Sequence, residues 1–230
     1  MQVLFTTKPV LRDPVLSWED TPYVAPWRDA AVLESLPAGA WDGPVVRLVR
    51  LSRQEDHSLV LKLQPARYFD YIGTNLSPRD CERVDAIGVC ALLFTADGAC
   101  ILQRRAADLA IRPGLLGPSM SGTLEPDDLR GATHLSEIDA AREVCEELGV
   151  SRDEIELLNL MGMIREPERH GAPELLYRGS LTLTAAELST RQPTEGSLLL
   201  VDILDIHRLP DRTPPLNNLM ALLIREDMGR

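Results

Sequence analysis

The run Ala86–Thr95 is almost wholly apolar, and Asp97-Gly98 and a second apolar run, Ala99–Gln103, follow at once. A strand with no polar alternation has no face to give to water, so it reads as a central strand covered on both sides. Asp-Gly supplies the positive φ angles of a tight hairpin turn, so the second run returns beside the first. Such a hairpin needs covering layers. Residues 136–149 and Pro214–Asp227 offer amphipathic helices for this. Arg112–Gly122 reads as a Pro/Gly-rich loop, and Ile155–Arg165, Glu174–Thr184 and Leu198–Ile206 read as further strands. Upstream, Val45–Leu51 and Leu59–Leu63 read as an antiparallel hairpin across the polar stretch Ser52–Ser58. Gln2–Thr7 reads as a short strand and Trp27–Leu36 as a helix stopped by Pro37 and Gly39. Ala66–Ile72 reads as a short helix broken by Gly73-Thr74-Asn75, with a polar connection over Leu76–Arg83. The expected fold is α/β or α+β, a mixed sheet sandwiched between helices. Residues 1–83 form a hairpin-containing extension, and residues 84–230 form the main domain.

Within that domain, 136–149 carries the chemistry. Ser136 is placed to cap the helix with Asp139 three residues on, and Gly149 stands where a left-handed stop belongs. Ile138, Ala141, Cys145 and Leu148 have 3-4-3 spacing and make the expected buried stripe. Glu143, Glu146 and Glu147 are related as i, i+3 and i+4, so they are neighbours on the other side. Two readings stand for three neighbouring carboxylates: a solvated acidic face, or hard oxygen donors for Mg²⁺ or Mn²⁺. Arg142, four residues before Glu146, can orient a carboxylate.

Charge and cysteine usage narrow the setting. A formal net charge of -11 disfavours non-specific binding to nucleic-acid phosphates. With apolar residues at 44% the chain can bury a core. The four cysteines, Cys81, Cys90, Cys100 and Cys145, include no Cys-x-x-Cys pair. With no signal-like start and no long apolar run, the expectation is a soluble cytoplasmic protein with no membrane partner.

Arg142-Glu143-Val144-Cys145-Glu146-Glu147-Leu148-Gly149-Val150 resembles the second half of the Nudix box, Arg-Glu-apolar-x-Glu-Glu-x-Gly-apolar, at every specified position. The first half departs from it. Gly122 fits the box glycine, with Ser121 where a second glycine is usual. Asp128 stands where Glu is usual. Thirteen residues rather than seven then precede Arg142, an insertion of six around Leu129–Leu135. Whether Asp128 or Glu137 stands in for the box glutamate is left open. Tyr71–Asn75, Ala86–Val89, Leu102–Arg105, Arg112–Leu116 and the upstream Trp41–Leu48 are similar to the UDP-glucose pyrophosphatase branch of that superfamily. The likeness spans roughly residues 40 to 205. That branch has a degenerate box helix, whereas this one is intact.

The resemblance implies a metal-dependent hydrolase, with Mg²⁺ or Mn²⁺ as cofactor. The substrate would be a nucleoside diphosphate derivative, a nucleotide sugar of the UDP-glucose or ADP-ribose type, cleaved to a nucleoside monophosphate and a sugar phosphate. It makes Glu146 and Glu147 the main ligands and Glu143 a ligand or a metal-assisted base, with Gly122 positioning the loop and its carbonyl a candidate to join the ligands. Arg142 orients its neighbours. A further carboxylate from a loop is expected at Glu195, with Glu166, Glu168 and Glu174 as rivals. Arg104, Arg105 and Arg112 are candidates to clamp phosphates or are surface charge, and Asn75 either lines the substrate site or stops a helix. His134 in the insertion is a candidate for a substrate or lid role. Two competing readings are a non-catalytic ligand sensor on the same fold, and isoprenyl diphosphate chemistry. The second needs a substrate-facing cysteine, and these cysteines sit in apolar strands or on the helix stripe. The first 80 residues are a homodimer arm, a lid or a sugar-binding wall.

Overall fold

The computed structural model describes residues 2–6, 13–25, 42–75, 82–107, 112–166, 171–194 and 196–228. The expected helix Trp27–Leu36, together with Trp41, Cys81, Glu168, His170 and Glu195, lies outside them. The chain forms two compact units, each assembled from three segments. One holds Met1–Gly88, Thr123–Asp139 and Met163–Glu174; the other holds Val89–Gly122, Ala140–Gly162 and Leu175–Arg230.

The first unit contains β1 (Gln2–Thr6), β2 (Val15–Trp18), β3 (Pro44–Arg53), β4 (Leu59–Arg67) and α1 (Tyr68–Asn75). β3 and β4 make the expected antiparallel hairpin, with Val45 opposite Ala66 and Arg53 opposite Leu59, and an irregularity between Leu48 and Arg50. Leu59, Leu61 and Leu63 are buried while Lys62 is exposed, the period of two that fits a sheet with one covered face. β2 adds in parallel to the other edge of β4, Val15 opposite Val60, giving the order β2-β4-β3.

Helix α1 starts where Asp42 Oδ1 accepts the Phe69 N–H (2.9 Å). It does not break at Gly73. Thr74 bonds back to the Asp70 carbonyl at 2.8 Å, which keeps Gly-Thr-Asn inside the last helical turn. That turn is tethered in both directions. Asn75 Nδ2 donates to Asp85 Oδ1 (2.9 Å), and Asn75 Oδ1 accepts the Asp85 N–H (3.0 Å). Arg165 holds the second oxygen of Asp85 at 2.8 Å. Asp85 sits at φ 48, a left-handed conformation that this net of bonds maintains.

The second unit contains β5 (Gly88–Phe94), β6 (Cys100–Arg104), β7 (Leu116–Gly117), β8 (Met120–Thr123) and α2 (Ala141–Leu148). After these come β9 (Ile155–Glu166) and β10 (Ala172–Leu181), whose residues 163–166 and 172–174 belong to the first unit, then α3 (Ala185–Leu188), β11 (Ser197–Val201) and α4 (Pro214–Met228). The strand order of the large sheet is β1-β9-β10-β5-β6-β11, with β7 on β6 and β8 on β5. The expected central strand is β5, buried at every position before Phe94. Its turn to β6 places Gly98 at φ 88. The Thr95 hydroxyl donates to Asp97 (2.6 Å) and the Ala185 N–H does too (2.9 Å); these bonds hold the Asp97 carboxyl below its usual range.

Two expectations are corrected here. The run Leu198–Ile206 is a strand only to Val201, because Asp202 accepts the Leu204 N–H (2.8 Å) and starts a 3₁₀ turn. The Pro/Gly-rich stretch from Arg112 to Gly122 is not all loop, since β7 and most of β8 lie within it. Ser119, between them and fully buried, accepts the Leu93 N–H (2.7 Å) and donates to the Ile101 carbonyl (2.5 Å). One hydroxyl thus fixes the approach to β8 against the central hairpin. The molecule is of the α+β class, with one large sheet, a separate three-stranded sheet and short helices.

Candidate active site

Helix α2 begins at Ala141, five residues later than the pattern from Ser136 suggested. The Ser136 N–H (3.1 Å) and hydroxyl both go to Asp13, so this serine cannot cap the helix. Ala140 holds the N-cap position without a side-chain cap. The far end matches the expectation: Gly149 adopts φ 65, and its N–H reaches the Cys145 carbonyl at 3.1 Å. The buried residues of α2 are Val144, Leu148 and Glu143 rather than Ala141 and Cys145. Cys145 is half-buried, and Ile138 is buried but precedes the helix. The stripe is therefore turned by one residue, and Glu143 leaves the solvated side on which spacing had placed it.

What receives Glu143 is Gly122 on β8. A Cβ at Gly122 would stand 2.3 Å from Glu143 Cδ and 2.4 and 2.6 Å from its oxygens, so only glycine leaves room for this carboxylate. A buried carboxylate needs charge partners. Arg142 supplies one, donating to Glu143 Oε1 at 2.9 Å and to Glu146 Oε2 at 2.8 Å. The neighbouring Ser121 N–H donates to Glu147 Oε2 at 3.2 Å. Glu143 and Glu147 thus meet the backbone of residues 121–122, while Glu146 is exposed and held by Arg142. The set offers only oxygen donors, and the glycine cradle admits a carboxylate against β8, features that suit a hard divalent cation. Among the described residues, no three His, Cys, Asp or Glu side chains are gathered as a metal cluster.

The candidate arginines line one turn of the second unit. Arg104, exposed at the end of β6, donates to the Gly114 carbonyl at 2.9 Å. The Arg105 N–H reaches the Leu115 carbonyl at 3.0 Å, and Arg112 is half-buried at φ 55. Asn75 belongs to the first unit. It is fully buried, and its side chain is engaged with Asp85, so it works as the end of α1. Glu166 and Glu174, rivals for the loop carboxylate, are buried strand residues of that unit.

Both candidates to replace the box glutamate hold local turns of the first unit. Asp128 Oδ2 accepts the Glu125 N–H at 2.8 Å. Glu137 Oε2 accepts the N–H groups of Thr133 (2.6 Å) and His134 (3.1 Å), and these bonds lower its pKa. The insertion itself is paired with the strand β2. The Leu16 N–H donates to the Thr133 carbonyl and the Leu135 N–H to the Pro14 carbonyl, both at 2.9 Å, with Val15 bridged to His134. His134 is thus a paired residue of a sheet edge. Spacing alone missed two anchors in the second unit, Ser119 and Thr194, because single hydroxyls in Pro/Gly-rich loops carry no periodic signal.

No family model and no curated protein matches the chain. Solved structures do. The chain is similar to the MutT protein of Methanosarcina mazei Go1, at 19% identity and a TM-score of 0.47 over 62% of this chain and 94% of that one. It is similar to DR0079 of Deinococcus radiodurans, at 17% and 0.46 over 80% and 98%. It is also similar to the NUDIX domain of Shewanella oneidensis NrtR complexed with ADP ribose, at 16% and 0.46 over 66% and 93%. All three TM-scores lie below 0.5. Among the described residues no helix is long and apolar enough to cross a membrane.

Proposed function

We propose that this protein is a Nudix-type pyrophosphohydrolase that uses Mg²⁺ or Mn²⁺. Its substrate is a nucleoside diphosphate joined to a second group, a nucleotide sugar of the UDP-glucose or ADP-ribose type, and its products are a nucleoside monophosphate and a sugar phosphate. The observation that carries this reading is the seating of Glu143 on Gly122. Two parts of the sequence motif, twenty residues of intervening chain apart at that point, meet at a carboxylate that admits no Cβ. Residues 1–83 are in this reading an extension of a catalytic domain running from 84 to 230.

Glu143, Glu146, Glu147 and the Gly122 carbonyl would hold the cation. When bound it neutralises the diphosphate and lowers the pKa of the attacking water. Arg142 holds Glu143 and Glu146 in place through one guanidinium. Glu143 takes the proton of the water. Arg104, Arg105 and Arg112 bind the phosphate oxygens, for which a planar guanidinium is well shaped. Glu195 remains part of the proposed ligand set.

Isoprenyl diphosphate isomerisation fits less well. Cys90 and Cys100 are buried, and burial pushes the Cys100 thiol up to about 12, too weak an acid to offer a thiolate. The test is a screen of nucleotide sugars, dinucleoside polyphosphates and nucleoside triphosphates with Mg²⁺ or Mn²⁺, with wild type beside Glu146→Gln and Glu147→Gln. Hydrolysis of a diphosphate link that falls on the order of 100-fold in either variant is expected. Equal turnover in all three proteins would remove the metal assignment. Tight binding of a nucleotide sugar with no turnover would make the protein a sensor instead.

A further inference from the structure

The last turn of α2 ends in carbonyl groups that have no partner within the helix. Those of Glu146 and Glu147 are taken by one residue. The Thr194 hydroxyl donates to the Glu146 carbonyl and the Thr194 N–H to the Glu147 carbonyl at 3.1 Å. Two residues earlier, the Gln192 carbonyl packs on Gly149, 3.0 Å from where a Cβ would stand. Two residues later, Gly196 lies at φ 65 against the end of β6. A Cβ there would fall 2.0 Å from the Arg104 carbonyl and 3.3 Å from the Ala106 nitrogen. All of these residues belong to the second unit.

One short stretch of chain is therefore fastened at one end to the carboxylate helix and at the other to the strand that bears Arg104. A carboxylate's place is set by its own Cα, and the Cα atoms of Glu146 and Glu147 are pinned through their carbonyls by Thr194. The Arg104 backbone packs closely on Gly196 and pairs with Ser197 in the β6–β11 ladder, and the Arg104 side chain orders the turn at Gly114. We propose that Thr194 is a positioning residue for the metal-binding carboxylates, and that with Gly196 it fixes their spacing from the phosphate-binding arginine. This rests on the hydrolase reading given above. The sequence offers no local sign of it, since Pro-Thr-Glu-Gly reads as an ordinary turn.

The test is made on the full chain with Mn²⁺ as probe, following its binding by electron paramagnetic resonance without substrate, and kcat and KM with the best substrate of the screen. Thr194→Val keeps the shape and the N–H but removes the hydroxyl; Thr194→Ser keeps the hydroxyl. The valine variant should weaken Mn²⁺ binding and lower kcat by about tenfold or more, as loss of outer support for metal ligands typically does, with KM little changed. The serine variant should stay within about twofold of wild type. A merely structural threonine would lower the melting temperature of the valine variant and leave its Mn²⁺ affinity and kcat alone, which would overturn the proposal. Mn²⁺ binding by wild type that ignores Glu146→Gln and Glu147→Gln would overturn the metal reading and this proposal with it. Binding that depends on those two glutamates but not on the Thr194 hydroxyl would overturn the positioning role only.

Discussion

The carboxylate helix and the stretch before it are built on opposite principles. Residues 141–149 are local: a two-turn helix, an i,i+4 ion pair from Arg142 to Glu146, and a left-handed glycine stop. Residues 123–139 have no helix of that kind. They hold two 3₁₀ turns, each tied by an acidic side chain, and a strand-like pairing to residues 14–16. The first kind of structure tolerates little change because its carboxylates are crowded. The second tolerates insertion because its bonds go to a sheet edge that can accept a longer loop. That contrast explains how six additional residues coexist with an intact acidic helix.

The contrast is broken most sharply at Gly122. A Cβ there meets only the end of a flexible side chain, so Gly122→Ala should displace the Glu143 carboxylate and leave the backbone where it is. Activity should fall on the order of 10- to 100-fold. The melting temperature should drop by no more than about 4 °C, the shift that about 1 kcal/mol gives in a chain of this size. A fully active Gly122→Ala variant would show that the seat of Glu143 on Gly122 is not needed for turnover.

Gly149→Ala tests the same helix from its other end, where the obstruction is backbone. Its φ of 65 strains any L side chain, and the Gln192 carbonyl lies 3.0 Å from the new Cβ. The cost should be about 1–2 kcal/mol, read as a fall in melting temperature of roughly 2–8 °C. Here stability should fall in step with activity, the reverse of Gly122→Ala. An unchanged melting temperature would mean that the stop is looser than its geometry.

These two glycines also mark how far the sequence could be read. Gly149 is legible because its role is local: a glycine after a helical period is a stop. Gly122 was legible only through the motif, since nothing near it in the chain tells of a carboxylate arriving from Glu143. The true start of α2 was not legible at all. Ser136 has the form of a cap, and what disqualifies it is Asp13, more than a hundred positions away. β2 escaped for the same reason. Four residues carry no period, and the parallel pairing with β4 is a tertiary fact. The strand β5 and its Asp-Gly turn were read correctly because burial of both faces and a tight turn each leave a mark on adjacent residues.

Ser136→Ala should separate the insertion from the helix. It removes one exposed hydroxyl bond to Asp13, a loss of about 0.5–1.5 kcal/mol at most. Turnover should stay within about twofold of wild type, since α2 draws no cap from Ser136. A large loss of turnover at an unchanged melting temperature would make the insertion part of the active machinery.

The smallest expected effect is acid dependence at Glu137. The Thr133 and His134 N–H groups favour its charged form and lower its pKa from an ordinary value of 4.5. A carboxyl with a depressed folded pKa stabilises the fold above its ordinary value, and loses that contribution as pH falls through the folded one. Glu137→Gln has no charge to lose, so its disadvantage against wild type should be full near neutral pH and shrink below about pH 4.5. The comparison has to be made pairwise, because Glu154 and Glu187 hold the N–H groups of Ser151 and Thr184 in the same way and titrate in the same range. Melting curves of the two proteins between about pH 7 and pH 3 measure the difference directly. A gap that stays constant over that range would mean that Glu137 stabilises its turn by shape and neutral hydrogen bonding alone, and that the front half of the motif is held without charge.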